Sequence, residues 1–202
     1  MKKILALIAA LSLVTLTACG NSNAAATLGK TTISQNELQA TIDTILKERE
    51  GVDVSQMQLE SGASLNRSQL RFLIITKIFD QIAAELKLGV TKTEIATTRA
   101  NMIDQSGGAA TFATNLVAAQ IASTNFDVYV RAILISDKIT KALADSGVAE
   151  ADVSAKLSQL VQAKAKQLKI QINPRYGTWD DAAGDIVAAD SAGDAIKVPA
   201  AQ

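Results

Sequence analysis

Histidine is absent from this 202-residue chain, and cysteine occurs once. Without imidazole there is no Ser-His-Asp triad, no proton shuttle tuned near neutral pH and no histidine-ligated metal. A lone thiol forms neither an internal disulfide nor a multi-thiolate zinc site. An excess of either charge is also missing: 20 Lys+Arg stand against 20 Asp+Glu. Nucleic-acid binding, which favours a basic footprint, is therefore not expected. What is present is a 48% hydrophobic composition, enough for a core in one domain with an appendage.

The first residues read as an address. Met1-Lys2-Lys3 supplies a short positive region, and an apolar stretch from Ile4 to Leu16 follows, broken by Ser12 and Thr15. That stretch is shorter than the roughly 20 residues a membrane span needs, so it reads as an export signal. Leu16-Thr17-Ala18-Cys19-Gly20 then resembles a bacterial lipobox, in which the cysteine carries the lipid and becomes the mature N-terminus. The alternatives are an ordinary secretory signal with a chance cysteine, or an N-terminal membrane anchor. Residues 1–18 are thus expected to be a lipoprotein signal peptide and 19–26 a flexible tether. The protein is expected on the extracytoplasmic face of the cell membrane, held in the bilayer by acyl chains on Cys19.

Helix signals dominate the body. Ser34-Gln35-Asn36-Glu37 and Thr91-Lys92-Thr93-Glu94 have capping-box form, and Asn66-Arg67-Ser68-Gln69 has the same outline. Gly51, Gly89, Gly107-Gly108 and Gly147 each follow a periodic apolar run. Helices are expected over 35–50, 67–88, 92–105, 109–119, 125–145 and 150–168. The second carries Leu70, Ile74, Ile78, Ile82 and Leu86 at i+4 steps, with Phe72, Ile75, Phe79 and Ala83 beside them, so it should be covered on several sides. The sixth has a narrower seam and should pack as an outer helix. Its Lys156, Lys164 and Lys166 read as a solvated face. Residues 27–33, turning at Gly29, and 169–173 have β character and are expected to pair, closing the domain end to end. Residues 180–202 form an acidic, Ala/Gly-rich tail that reads as mobile, with a short strand conceivable at Asp185-Ile186-Val187-Ala188.

Four apolar residues stand out as contacts for another polypeptide. Met57 and Leu59 lie in the connection 52–65, where adaptable side chains would either touch varied clients or tuck onto the core. Tyr176 and Trp179 belong to Asn173-Pro174-Arg175-Tyr176-Gly177-Thr178-Trp179, which holds the single tryptophan. That stretch could present aromatics to a partner, but a structural use is favoured, since aromatics bury large areas wherever they can. Asp180-Asp181 lacks the alternating ligand spacing of a calcium loop and reads as a solvated turn. No metal, cofactor or catalytic residue is expected.

The order of these motifs resembles the N-terminal chaperone domain of SurA/PrsA-like foldases. The residues that carry the likeness are Leu28-Gly29-Lys30-Thr31-Thr32-Ile33-Ser34-Gln35-Asn36-Glu37-Leu38 and the junction Leu86-Lys87-Leu88-Gly89-Val90-Thr91-Lys92-Thr93-Glu94-Ile95. Phe126-Asp127-Val128-Tyr129-Val130-Arg131 and the 173–179 stretch complete it. The resemblance implies a mainly α fold like that of the SurA N-terminal and trigger-factor C-terminal domains, over 27–179, with a small two-stranded closure. Family members with isomerase activity insert a parvulin domain before the last helix. Here 144–150 leaves no room for one, and parvulin sites use histidine. The resemblance therefore implies a chaperone or holdase for unfolded secreted or envelope proteins, without prolyl isomerase activity. The rival expectation is a structural or adaptor lipoprotein with one envelope partner.

Overall fold

Three consecutive alanines at the end of the expected tether begin the first strand of the fold. The computed structural model describes residues 23–188, so the signal peptide, Cys19 and the tail beyond Ala188 lie outside the described residues. β1 (Ala24–Leu28) hydrogen-bonds on one side to β2 (Thr31–Ser34) and on the other to β3 (Gln171–Ile172), antiparallel in both cases. The expected pairing of the two ends is therefore present, as a three-stranded sheet with the N-terminal strand in the middle. Ala24, Ala25 and Ala26 are buried, which removes them from the tether: their small side chains let a central strand sit against the helices. Gly29 makes the β1–β2 turn with φ +58 and donates its N–H to the Leu168 carbonyl at 2.8 Å, tying the turn to the last helix.

The helices are α1 (Gln35–Arg49), α2 (Gly62–Glu85), α3 (Lys92–Gln105), α4 (Ala109–Ala118), α5 (Phe126–Asp145) and α6 (Glu150–Leu168). α1 begins at Ser34, whose hydroxyl accepts the Glu37 N–H. Only this half of the expected capping box forms, because Glu37 leans towards Lys77, 3.8 Å away. α2 starts five residues before the expected position. Leu65 is already a core residue, so Asn66 lies inside the helix instead of capping it. The i+4 stripe of Leu70, Ile74, Ile78 and Ile82 is fully buried against the sheet and α1, each side chain contributing about 1.5–3 kcal/mol of burial. Leu86 falls after the helix end and is exposed.

That end is a Schellman closure. Lys87 has φ 55, and the Leu88 N–H reaches the Ala83 carbonyl at 2.8 Å. α4 ends the same way through Gln120 (φ 56) and Ile121. α3 and α5 use Gly107 and Gly147, as expected.

α3 begins with a complete capping box between Thr91 and Glu94. No residue of α3 is fully buried: Ile95 and Met102 pack half-buried on a small second core, and polar contacts add to its attachment. Lys138 on α5 donates to both the Gly89 carbonyl and Glu94 at 2.6 Å. Arg131 holds Asp80 at 2.7 Å and reaches the Val90 carbonyl. A second, small core of Leu116, Phe126 and Val130 backs α3 and α4, with Phe112 edge-on to Phe126 at 4.7 Å. The Lys138 ammonium and the Thr91 amide and hydroxyl hold the Glu94 carboxyl down at about 2, below its ordinary 4.5. A depressed folded-state pKa stabilises fully above the unfolded value and less as pH falls through the folded one. Acid titration should therefore loosen α3 between about pH 4.5 and 2. Glu94→Gln should flatten that part of the curve, as read by amide exchange along α3.

α6 returns along α2 and α5 and carries one correction. Lys164 is buried, not on a solvated face: its ammonium pairs with Glu85 at the end of α2 and with Gln167. Burying the stem lets α6 lie close on α2, and the head still reaches a partner. Beyond β3, the expected mobile tail is ordered as far as Ala188. β4 (Thr178–Asp180) and β5 (Asp185–Val187) form a hairpin, realising the conceivable strand. Asp180 accepts the N–H groups of Ala182 and Ala183, so the acidic pair builds a turn. Among the described residues no group of acidic or thiol side chains could hold a metal, and no helix is long and apolar enough to cross a membrane.

Candidate binding cleft

The second apolar stripe of α2 is only partly covered by protein: Ala83 is buried, and the rest is half-open. Phe72, Ile75 and Phe79 are half-buried and form the floor of a cleft of about 540 Å³ between α2, α5 and α6. Steps of three and four residues keep them on one face of the helix. α5 supplies Tyr129, Ala132, Ile133 and Ser136 at the same spacing, and α6 adds Leu157, Ser158, Val161 and Gln162. Ala183 and Gly184, at the tip of the β4–β5 hairpin, close one end. The hairpin tip is tied to α2 by Arg71, whose Nε donates to the Gly184 carbonyl at 3.1 Å and lies 3.3 Å from Asp185. Both members of that ion pair are about half exposed, so its role is local placement more than stability.

Arg71 is the one charged residue of the lining, and the remaining polar groups are hydroxyls, an amide and backbone. A hollow with that chemistry can take uncharged apolar side chains and accommodate the peptide groups between them. It offers no nucleophile–base pair. Elsewhere, large apolar side chains standing well exposed among the described residues are few: Leu46, Leu86 and Val187. None of those three lines the cleft, which instead gathers several half-buried apolar side chains in one hollow.

None of the four residues singled out in the sequence lines it. Met57 and Leu59 are half-buried in the connection before α2, where the Met57 N–H closes a turn on the Val54 carbonyl. Tyr176 is buried in the core, with the Arg175 guanidinium 5.2 Å above its ring. Trp179 packs half-buried against the same core and donates its indole N–H to Asp181. Tyr176 and Trp179 thus pack against the core, and the apolar side chains that line the cleft are Phe72, Ile75, Phe79, Ile133, Leu157 and Val161 instead. The signal for Phe72, Ile75 and Phe79 was the doubled stripe of α2, which is wider than a single packing face requires.

A smaller hollow of about 340 Å³ lies between α3, α4 and α5, lined by Met102, Phe112, Leu116 and Phe126 among others. Tyr129 borders both hollows.

A family model described as the SurA-like N-terminal domain matches residues 1–140. No curated protein and no solved structure matches the chain. The matched region includes α2 and most of α5, two of the three cleft walls, and stops before α6. Four residues, 146–149, join α5 to α6, so no parvulin domain is inserted there among the described residues. With the mainly helical fold, the motif order and a match over more than half its length, the chain belongs to the SurA-like N-terminal domain family.

Proposed function

We propose that this protein is a holdase for unfolded secreted or envelope polypeptides, tethered outside the cytoplasmic membrane by acyl chains on Cys19. The observation that carries the reading is the cleft: half-buried apolar side chains of α2, α5 and α6 gathered around one open hollow of about 540 Å³. Family membership supports a chaperone relationship in general.

The energetics suit reversible capture. Two or three client side chains buried in the cleft give about 1.5–3 kcal/mol each. Ordering a disordered segment costs about 2–5 kcal/mol of that. A net of a few kcal/mol corresponds to weak affinity, so a client is held and released without an energy source. The mechanism has no chemical step: the cleft hides a client's apolar segment from other chains until it folds or moves on. In this reading the protein acts neither as an enzyme nor as a prolyl isomerase.

The test is light scattering of an aggregating, chemically unfolded client with the soluble domain beginning after Cys19. Suppression at a few-fold molar excess is expected. No suppression by a domain shown to be folded would remove the holdase reading. Mass spectrometry of the mature N-terminal peptide checks the anchor separately.

A further inference from the structure

We propose that the end of the domain where β1 begins rests against an anionic lipid surface, with Arg175 at the contact. This rests on acylation of Cys19 as read above. Asn23 is already fixed: its carbonyl accepts the Gln35 N–H at 2.8 Å, and Ala24 pairs with Ser34. Between Cys19 and Asn23 stand Gly20, Asn21 and Ser22 alone. Even fully extended, those four steps span about 14 Å. That is less than half the length of α2, whose 24 residues rise roughly 36 Å. A domain on so short a leash cannot swing end over end, and the residues around the start of β1 must stay near the bilayer.

Those residues suit that position. Asn173 donates its side-chain amide to the Ala24 carbonyl at 3.1 Å and its backbone N–H to that of Ala25 at 2.9 Å, which holds the 173–177 turn beside the strand start. Arg175 is exposed, donates to the Gln35 side-chain oxygen at 2.9 Å and stacks on Tyr176. Gln35 uses one of the five N–H donors of a planar guanidinium whose fork matches a phosphate. Asn23, Asn36 and Pro174 are exposed and uncharged, and the nearby Glu37 is paired with Lys77. The face is thus hydrated, with one positive group held in place. An anionic headgroup fits it better than an acidic protein would, because the lipid is already brought there by Cys19.

The placement also positions the cleft. Gly177 abuts Val187 at the base of the β4–β5 hairpin, and the hairpin tip lines the cleft. A three-residue strand covers about 10 Å. Clients would be held within a short distance of the headgroups, where exported chains emerge.

Trp179, the sole tryptophan, lies in β4 near this end and serves as donor to a headgroup-attached acceptor. The full-length acylated protein is placed in vesicles of phosphatidylglycerol and phosphatidylethanolamine, or of phosphatidylcholine alone. Energy transfer from Trp179 should be at least about twofold higher than in a variant with twenty Gly/Ser residues inserted between Ser22 and Asn23. Arg175→Gln should lower it in the anionic vesicles only, by a factor up to about five in surface contact. Equal transfer with the long and short leash, or indifference to both lipid charge and Arg175→Gln, would overturn the inference alone. A Cys19 found without acyl chains overturns the anchor and this inference with it.

Discussion

Replacing Ala132 by phenylalanine together with Ser136 by leucine should abolish suppression of client aggregation, at least tenfold, with little change in melting temperature. Both positions lie on α5 at i and i+4 and line the cleft while half-exposed. Enlarging them adds volume to open space and not to a packed interior, so the usual overpacking penalty of about 1–3 kcal/mol does not apply. The new side chains would cover Phe72 and Ile75 from within, occupying the surface a client needs. Burial of the added phenyl would stabilise the domain by about 1–2 kcal/mol. The double variant therefore separates binding from folding, which deletion of Phe72 or Phe79 would not, since both also pack on the main core. Circular dichroism melts with light scattering read the two effects side by side.

The largest effect on stability is expected at Gly177. Its φ of +124 lies where side chains are rarely tolerated, and a Cβ there would overlap the Val187 carbonyl oxygen. No rotamer relieves that overlap, because the Cβ position is fixed by the backbone and its partner is a backbone oxygen. Gly177→Ala must move β5 away from the turn, at about 3 kcal/mol or more. For a domain this size that lowers the melting temperature by roughly 6–12 °C, or releases the hairpin on its own. The outcomes differ at Trp179. Local release should shift its emission to longer wavelength well below the melting transition and also cost binding, because Ala183 and Gly184 leave the cleft mouth.

Much of the helical frame was legible because its signals are local. The Thr91–Glu94 capping box marks the start of α3 to the residue, and Gly107 and Gly147 close α3 and α5. The closures of α2 and α4 were hidden, since Lys87 and Gln120 occupy left-handed positions that sequence rules reserve for glycine or asparagine. Tertiary pull hid others. Leu65 docks in the core and draws α2 five residues earlier, and flanking strands on both sides convert Ala24, Ala25 and Ala26 from tether to strand.

The site was half legible for a related reason. Periodicity shows that α2 has two apolar stripes, but which stripe is packed depends on where α5 and α6 cross it. Lys164 illustrates the same limit: at a solvated-looking position it is buried because α6 lies against Glu85. Aromatics at 176 and 179 drew attention by rarity, and the chain spends them on anchoring its C-terminal hairpin.

Site-specific photo-crosslinking in cells probes client capture most directly, with the reactive group at Ser158 in the cleft or at Lys156, exposed on the same helix and outside the lining. Occupancy of the cleft by unfolded chains predicts many adducts of varied mass from Ser158 and few from Lys156. Equal yields from the two positions, or one dominant adduct from Ser158, would contradict it, the latter in favour of an adaptor with a single envelope partner.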